Sequence, residues 1–63
     1  MDFKEKLKIR VEHWLEHNDK HCEEYSNFAK ELQEHGLSEQ KQYLERVVEL
    51  TKEISSLFKK ILS

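Results

Sequence analysis

The sequence predicts an all-α fold, an antiparallel two-helix hairpin that dimerises into a four-helix bundle. Three observations carry this. Apolar residues recur at alternating spacings of four and three on both sides of position 36, the period of an amphipathic helix seam. The chain has no proline and one glycine, Gly36, so it holds one strong break. Charged residues make up 38% and hydrophobic residues 37%, a mix that suits helices burying a single stripe.

Helix 1 is expected over about 2–34. Asp2 is its N-cap, with a side chain able to accept from an early free N–H. Leu7, Val11, Trp14, Asn18, His21, Tyr25, Phe28 and Leu32 form the seam. Leu15, Cys22 and Ala29 recur every seven residues on its flank. A stripe this wide contacts more than one helix. The turn is expected at 35–38. Gly36 closes helix 1 in the left-handed conformation, with Leu37 as the apolar contact beside it. His35 sits near the carboxyl end, where positive charge is favoured. Ser38 is the expected N-cap of helix 2, with Glu39 in its first turn.

Helix 2 is expected over about 38–62. Tyr43, Val47, Leu50, Ile54, Leu57 and Ile61 repeat the seam spacing, and Leu44, Val48, Phe58 and Leu62 broaden it. Thr51, Ser55 and Ser56 soften the middle. A short connection makes the helices antiparallel neighbours. Trp14 then comes near Leu57 and Phe58, and Tyr25 near Val47 and Val48. Asn18 comes near Ile54 and Ser55, and His21 near Leu50 and Thr51. Asn18, Thr51 and Ser55 therefore fall in one polar core layer, which is stable only if its members bond one another, a water or a ligand.

Composition bounds the rest. The 63 residues leave room for one domain, 1–63, and a domain this small needs idealised helix packing, a metal or a partner. One cysteine, Cys22, forms no internal disulfide and suits a reducing, cytoplasmic setting. The net charge is −2, with no basic stripe for nucleic acid. No apolar run approaches the roughly 20 residues of a membrane span, and the first residues lack the apolar core of a signal peptide. The expected partner is a second copy, giving a homodimer, or another helical protein.

The segment with the most chemistry runs from His13 to His21. His13, His17 and His21 lie at successive spacings of four, so they stack along one side of a helix. An i, i+4 pair, about 6 Å apart along the axis, can hold one ion. His13 and His21 are about 12 Å apart and cannot share one. At about 100° per residue, His21 falls in the seam, His17 on its flank and His13 outward. The favoured metal set is His17, His21 and Glu24, with His13 as a further ligand. Two histidines and a carboxylate suit zinc, nickel or iron. Glu49, Lys52, Glu53 and Ser56 lie near on helix 2. The bland reading makes His21 a core histidine bonded to Thr51. A third reading makes a partly buried His21 a pH-responsive element.

The string His13-Trp14-Leu15-Glu16-His17-Asn18 with His21, followed by Glu24, Phe28 and Ala29, resembles short prokaryotic helical proteins and domains of unknown function. Their signature looks like His-Trp-(Ile/Leu)-Glu-His-Asn-x-x-His followed by an acidic residue, an aromatic and a Trp/Phe-Ala pair. The resemblance implies a helical fold and assigns no activity. The residues themselves point to a small metal-binding hairpin with a non-catalytic role in metal handling or sensing. The alternative is an assembly module in which Asn18 and His21 fix dimer register. Catalysis has no support, since a hairpin offers no pocket of the usual size.

Overall fold

The computed structural model describes residues 2–63, so the Met1 end of the expected domain lies outside it. Two helices account for nearly all of it, α1 over Phe3–Glu34 and α2 over Ser38–Leu62. They pack against each other as an antiparallel hairpin with Cα extents of 51 × 14 × 12 Å. Asp2 caps α1, its Oδ1 accepting from the Glu5 N–H at 2.8 Å. No described helix is long and apolar enough to cross a membrane.

The turn closes by a Schellman motif. Gly36 takes φ +72. The Leu37 N–H donates to the Leu32 carbonyl at 2.9 Å, and the Gly36 N–H to the Gln33 carbonyl at 3.1 Å. These bonds satisfy carbonyls that the end of α1 would otherwise leave free. The start of α2 differs from expectation. Its N-cap is Leu37, with no side-chain capping bond, and Ser38 is already helical. The Leu37 carbonyl accepts the first bond of α2, from the Lys41 N–H at 3.0 Å. Leu37 thus ends one helix and begins the next, so the turn is one residue shorter than expected.

The contact between the helices is narrow. Val11 (1% exposed) and Ala29 are the buried apolar residues among those described. Leu15, Cys22, Tyr25 and Leu32 of α1 and Leu44, Val48, Phe58 and Leu62 of α2 are half-buried beside them. Thr51 and Ser55 are buried polar residues. The residues facing inward are thus Val11, Leu15, Asn18, Cys22, Tyr25, Ala29 and Leu32. They keep the four-three spacing but are rotated from the expected seam. Leu7, Trp14 and Phe28 of that seam lie outside the contact, as do Val47, Leu50, Ile54, Leu57 and Ile61; all eight are 39–58% exposed. Small residues such as Cys22, Ala29, Thr51 and Ser55 on the inner rows let the two helices approach closely.

At Gly36 an added Cβ would meet no atom within 4 Å, so a substitution there is penalised by backbone conformation alone. Gly36→Ala is expected to cost about 1 kcal/mol, read as a lower urea midpoint with an unchanged slope. Gly36→Asn should recover part of that loss.

Candidate functional site

Two clusters meet near the middle of the hairpin, one inside it and one on its surface. The inner one is built on Asn18. Its Nδ2 donates to the Thr51 carbonyl and to Ser55 Oγ, both at 2.8 Å. Ser55 Oγ donates in turn to Asp19 Oδ1 at 2.6 Å. Thr51 Oγ1 donates back to the Val47 carbonyl at 2.7 Å, the local bond that buried helical threonines favour. Among the described residues no buried side-chain nitrogen or oxygen lacks a partner. Asn18, Thr51 and Ser55 occupy one layer, and every member is satisfied within a single chain. Asp19 is a fourth member that the sequence reading missed. Its only signal was its place beside Asn18.

His21 is outside this layer. Its ring stacks on Tyr25 with centroids 6.0 Å apart, and its Nδ1 lies 3.5 Å from Glu24 Oε2. The side chain is 54% exposed, so it is neither a core histidine nor a partner of Thr51, whose hydroxyl serves Val47. The burial on which a pH-responsive role rested is therefore missing. The layer also sets the register of the two helices of one chain, and His21 takes no part in that.

The outer cluster is the histidine ladder. The His13 and His17 rings meet edge-on with centroids 4.4 Å apart, while those of His17 and His21 are 6.5 Å apart. All three side chains belong to exposed residues, as does Glu24. Among the described residues no group of three or more His, Cys, Asp or Glu side chains is placed to hold a metal ion. His17, His21, Glu24 and His13 thus share one exposed side without converging on a point. Cys22 is half-buried with Sγ 4.0 Å from the Val48 carbonyl, turned away from the ladder.

The rest of this side is apolar. Leu7, Trp14, His21 and Phe28 recur every seven residues along α1, next to the inner seam. Val47, Leu50, Ile54, Leu57 and Ile61 run along α2 at spacings of three and four. Leu7 and Ile61 line the same shallow groove, which places both rows on one face of the hairpin. Trp14 leans toward Phe58, ring centroids 6.2 Å apart. The opposite side is polar, with Ser26, Lys30, Lys41, Glu45 and Glu49 around a groove over Ala29 and Val48. Its i, i+4 pair Lys41–Glu45, at 3.5 Å, is a surface contact of small energetic weight.

A family model described as Domain of unknown function (DUF8180) matches residues 7–63, which take in most of α1, the turn and all of α2. No curated protein and no solved structure matches the chain.

Because Asn18 and Ser55 bond directly, their contributions should not add. A double-mutant cycle with Asn18→Ala and Ser55→Ala is expected to show a coupling of about 1 kcal/mol. A cycle pairing Asn18→Ala with Ser63→Ala at the chain end should show none.

Proposed function

This chain is a member of that domain family, and we propose that it is a self-assembly module, two copies docking through their apolar faces to make a four-helix bundle. The observation that carries this is the continuous exposed row on α2, Val47, Leu50, Ile54, Leu57 and Ile61, set beside Leu7, Trp14 and Phe28 on α1. Contiguous apolar patches on small proteins mark interaction sites. The face is large enough for the purpose. The hairpin is 51 Å long and two helices wide, so it offers on the order of 1,000 Å², against the roughly 800 Å² each partner gives to a stable interface. A second hairpin is the simplest complement of such a face, since pairing buries the same rows on both copies at once.

The setting we assign is a prokaryotic cytoplasm, where a lone half-buried thiol such as Cys22 stays reduced. The string from His13 to His21 is then the domain's signature, and the assembly acts without nucleic acid or membrane.

A second reading, metal handling or sensing, is favoured by the contact between the His13 and His17 rings and by the His21–Glu24 pair. Imidazoles and a carboxylate along one exposed side suit a divalent zinc, nickel or iron ion. On one helix, however, two histidines a turn apart are the most that can reach one ion. A single chain leaves such an ion incompletely held.

Sedimentation equilibrium of tag-free protein tests the main reading. The wild-type chain is expected to be a dimer at about 100 µM, with a dissociation constant in the micromolar range or tighter. Ile54→Glu, in the centre of the apolar face, should give a folded monomer by circular dichroism. Lys52→Glu, outside the apolar row, should leave the dimer intact. A wild-type chain that remains monomeric at that concentration, with and without added zinc, overturns the proposal.

A further inference from the structure

The row Leu7, Trp14, His21, Phe28 has one polar member. His21 lies in the middle of the apolar face, alongside the α2 row in which Leu50 and Ile54 offer no side-chain polar atom. A second copy docking there would carry the imidazole into the interface, and a polar group withdrawn from water needs a partner. Glu24 already faces Nδ1 of His21 at 3.5 Å, leaving Nε2 as the nitrogen without one. His17 stands one turn earlier on the same side. The midpoint of α1, Phe3–Glu34, falls between Asn18 and Asp19, so His17 and His21 straddle the centre of the helix.

Two symmetric arrangements bury this face. With the two-fold axis along the bundle, α1 lies beside the α2 of the other copy, where Leu50 and Ile54 again give His21 nothing to bond. With the axis perpendicular to the bundle, α1 lies antiparallel to its own copy. Charge favours the second. Lys4, Lys6, Lys8 and Arg10 crowd the first turns of α1, with Glu5 the one carboxylate among residues 4–10. Glu23, Glu24, Glu31 and Glu34 crowd its last turns, with Lys30 the one cation among residues 23–34. Antiparallel apposition of the two α1 helices sets the basic end of each against the acidic end of the other, while the first arrangement would set the basic start of α1 against Lys59 and Lys60 at the end of α2. Full overlap of two such helices brings His17 of each copy within one residue's rise, about 1.5 Å, of the level of His21 of the other.

We infer that the two copies share one divalent transition-metal site of the zinc class on their two-fold axis, with His17 and His21 of both chains as its four ligands. The inference rests on the self-assembly reading above. Two i, i+4 imidazole pairs from facing helices supply the four nitrogen donors of a tetrahedral site that one helix cannot complete. Glu24 is then a positioning residue instead of a ligand. Drawn in from its present 3.5 Å to accept from the Nδ1–H of His21, it would fix the tautomer that leaves Nε2 free for the ion, as carboxylates commonly do for zinc-bound histidines. His13, a turn before His17 and about 12 Å along the helix from His21, is too far from the axis to be a ligand.

The test uses the full tag-free chain, stripped of metal, with Zn(II) and Co(II) as probes. Calorimetry is expected to give one Zn(II) per two chains, and Co(II) to develop the intense visible absorption of a tetrahedral site. At free zinc about 100-fold above its dissociation constant, the dimer should dissociate about 100-fold less readily. His17→Ala and His21→Ala should each weaken zinc binding at least tenfold while the apo dimer persists. Glu24→Gln should weaken it about tenfold, and His13→Ala should leave stoichiometry and affinity as they are. A chain that dimerises only with zinc supports both proposals. A dimer that binds no zinc overturns this inference and leaves the assembly reading standing. One zinc per chain, kept with full affinity by the Ile54→Glu monomer, also overturns it. So does a site abolished by His13→Ala and untouched by His21→Ala, which would place the ion on one helix. A chain monomeric with and without zinc overturns both.

Discussion

Everything in this hairpin is aligned by one amide. Asn18 Nδ2 reaches the Thr51 carbonyl and Ser55 Oγ, each at 2.8 Å, and Ser55 passes the chain of bonds on to Asp19. Apolar contacts between two helices are tolerant of sliding, since one row of leucines and valines meets another almost as well a turn away. A donor that has already left water is not tolerant, because a slip leaves it unpaired at a cost of roughly 1–3 kcal/mol. The network therefore settles where Val11, Cys22, Ala29 and their partners on α2 sit, although it adds little apolar burial of its own.

The network also decides what lies outside. Thr51 and Ser55 must face Asn18, so the row they belong to, Leu44, Val48, Thr51, Ser55, Phe58 and Leu62, faces α1. Two positions of that row are small and polar. The uninterrupted row of Val47, Leu50, Ile54, Leu57 and Ile61 is thereby left on the surface. A hairpin arranged this way buries a few polar groups while leaving much of its apolar surface outside, the reverse of what an isolated small domain needs. The exposed rows suit the proposed assembly, in which they would form a second core.

Much of this was legible in the sequence. The two helices, the break at Gly36, the Asp2 cap and the antiparallel pairing follow from spacing and from two or three special residues, because those effects are local. The polar layer was legible too, because Asn18, Thr51 and Ser55 were the polar positions in otherwise apolar rows. The rotation of the helices was not legible from periodicity. Tyr43, Val47, Leu50, Ile54, Leu57 and Ile61 are the strongest apolar row in α2, and hydrophobicity alone points them inward. The layer itself points the other way, since Thr51 and Ser55 meet Asn18 only when their own row turns toward it. Which row packs within a chain and which is left for another depends on side-chain size and on a handful of hydrogen bonds, neither of which periodicity measures. The Ser38 cap failed for a related reason: Leu37 both closes the Schellman motif and caps the next helix, so Ser38 is already its first residue.

That closure has a kinetic side. Contacts nearest Gly36 join residues a few positions apart, and those at the Leu7–Ile61 end join residues across most of the chain. Loop closure costs least for the nearest pairs, so the helices zip outward from the turn, in the manner of fast-folding local topologies. Asn18 lies roughly half-way along that route. A chain zipping in a wrong register meets Asn18 with half of its interface made and finds no acceptor opposite. The error is exposed while reversal is still cheap, before the far ends of the helices have closed over it.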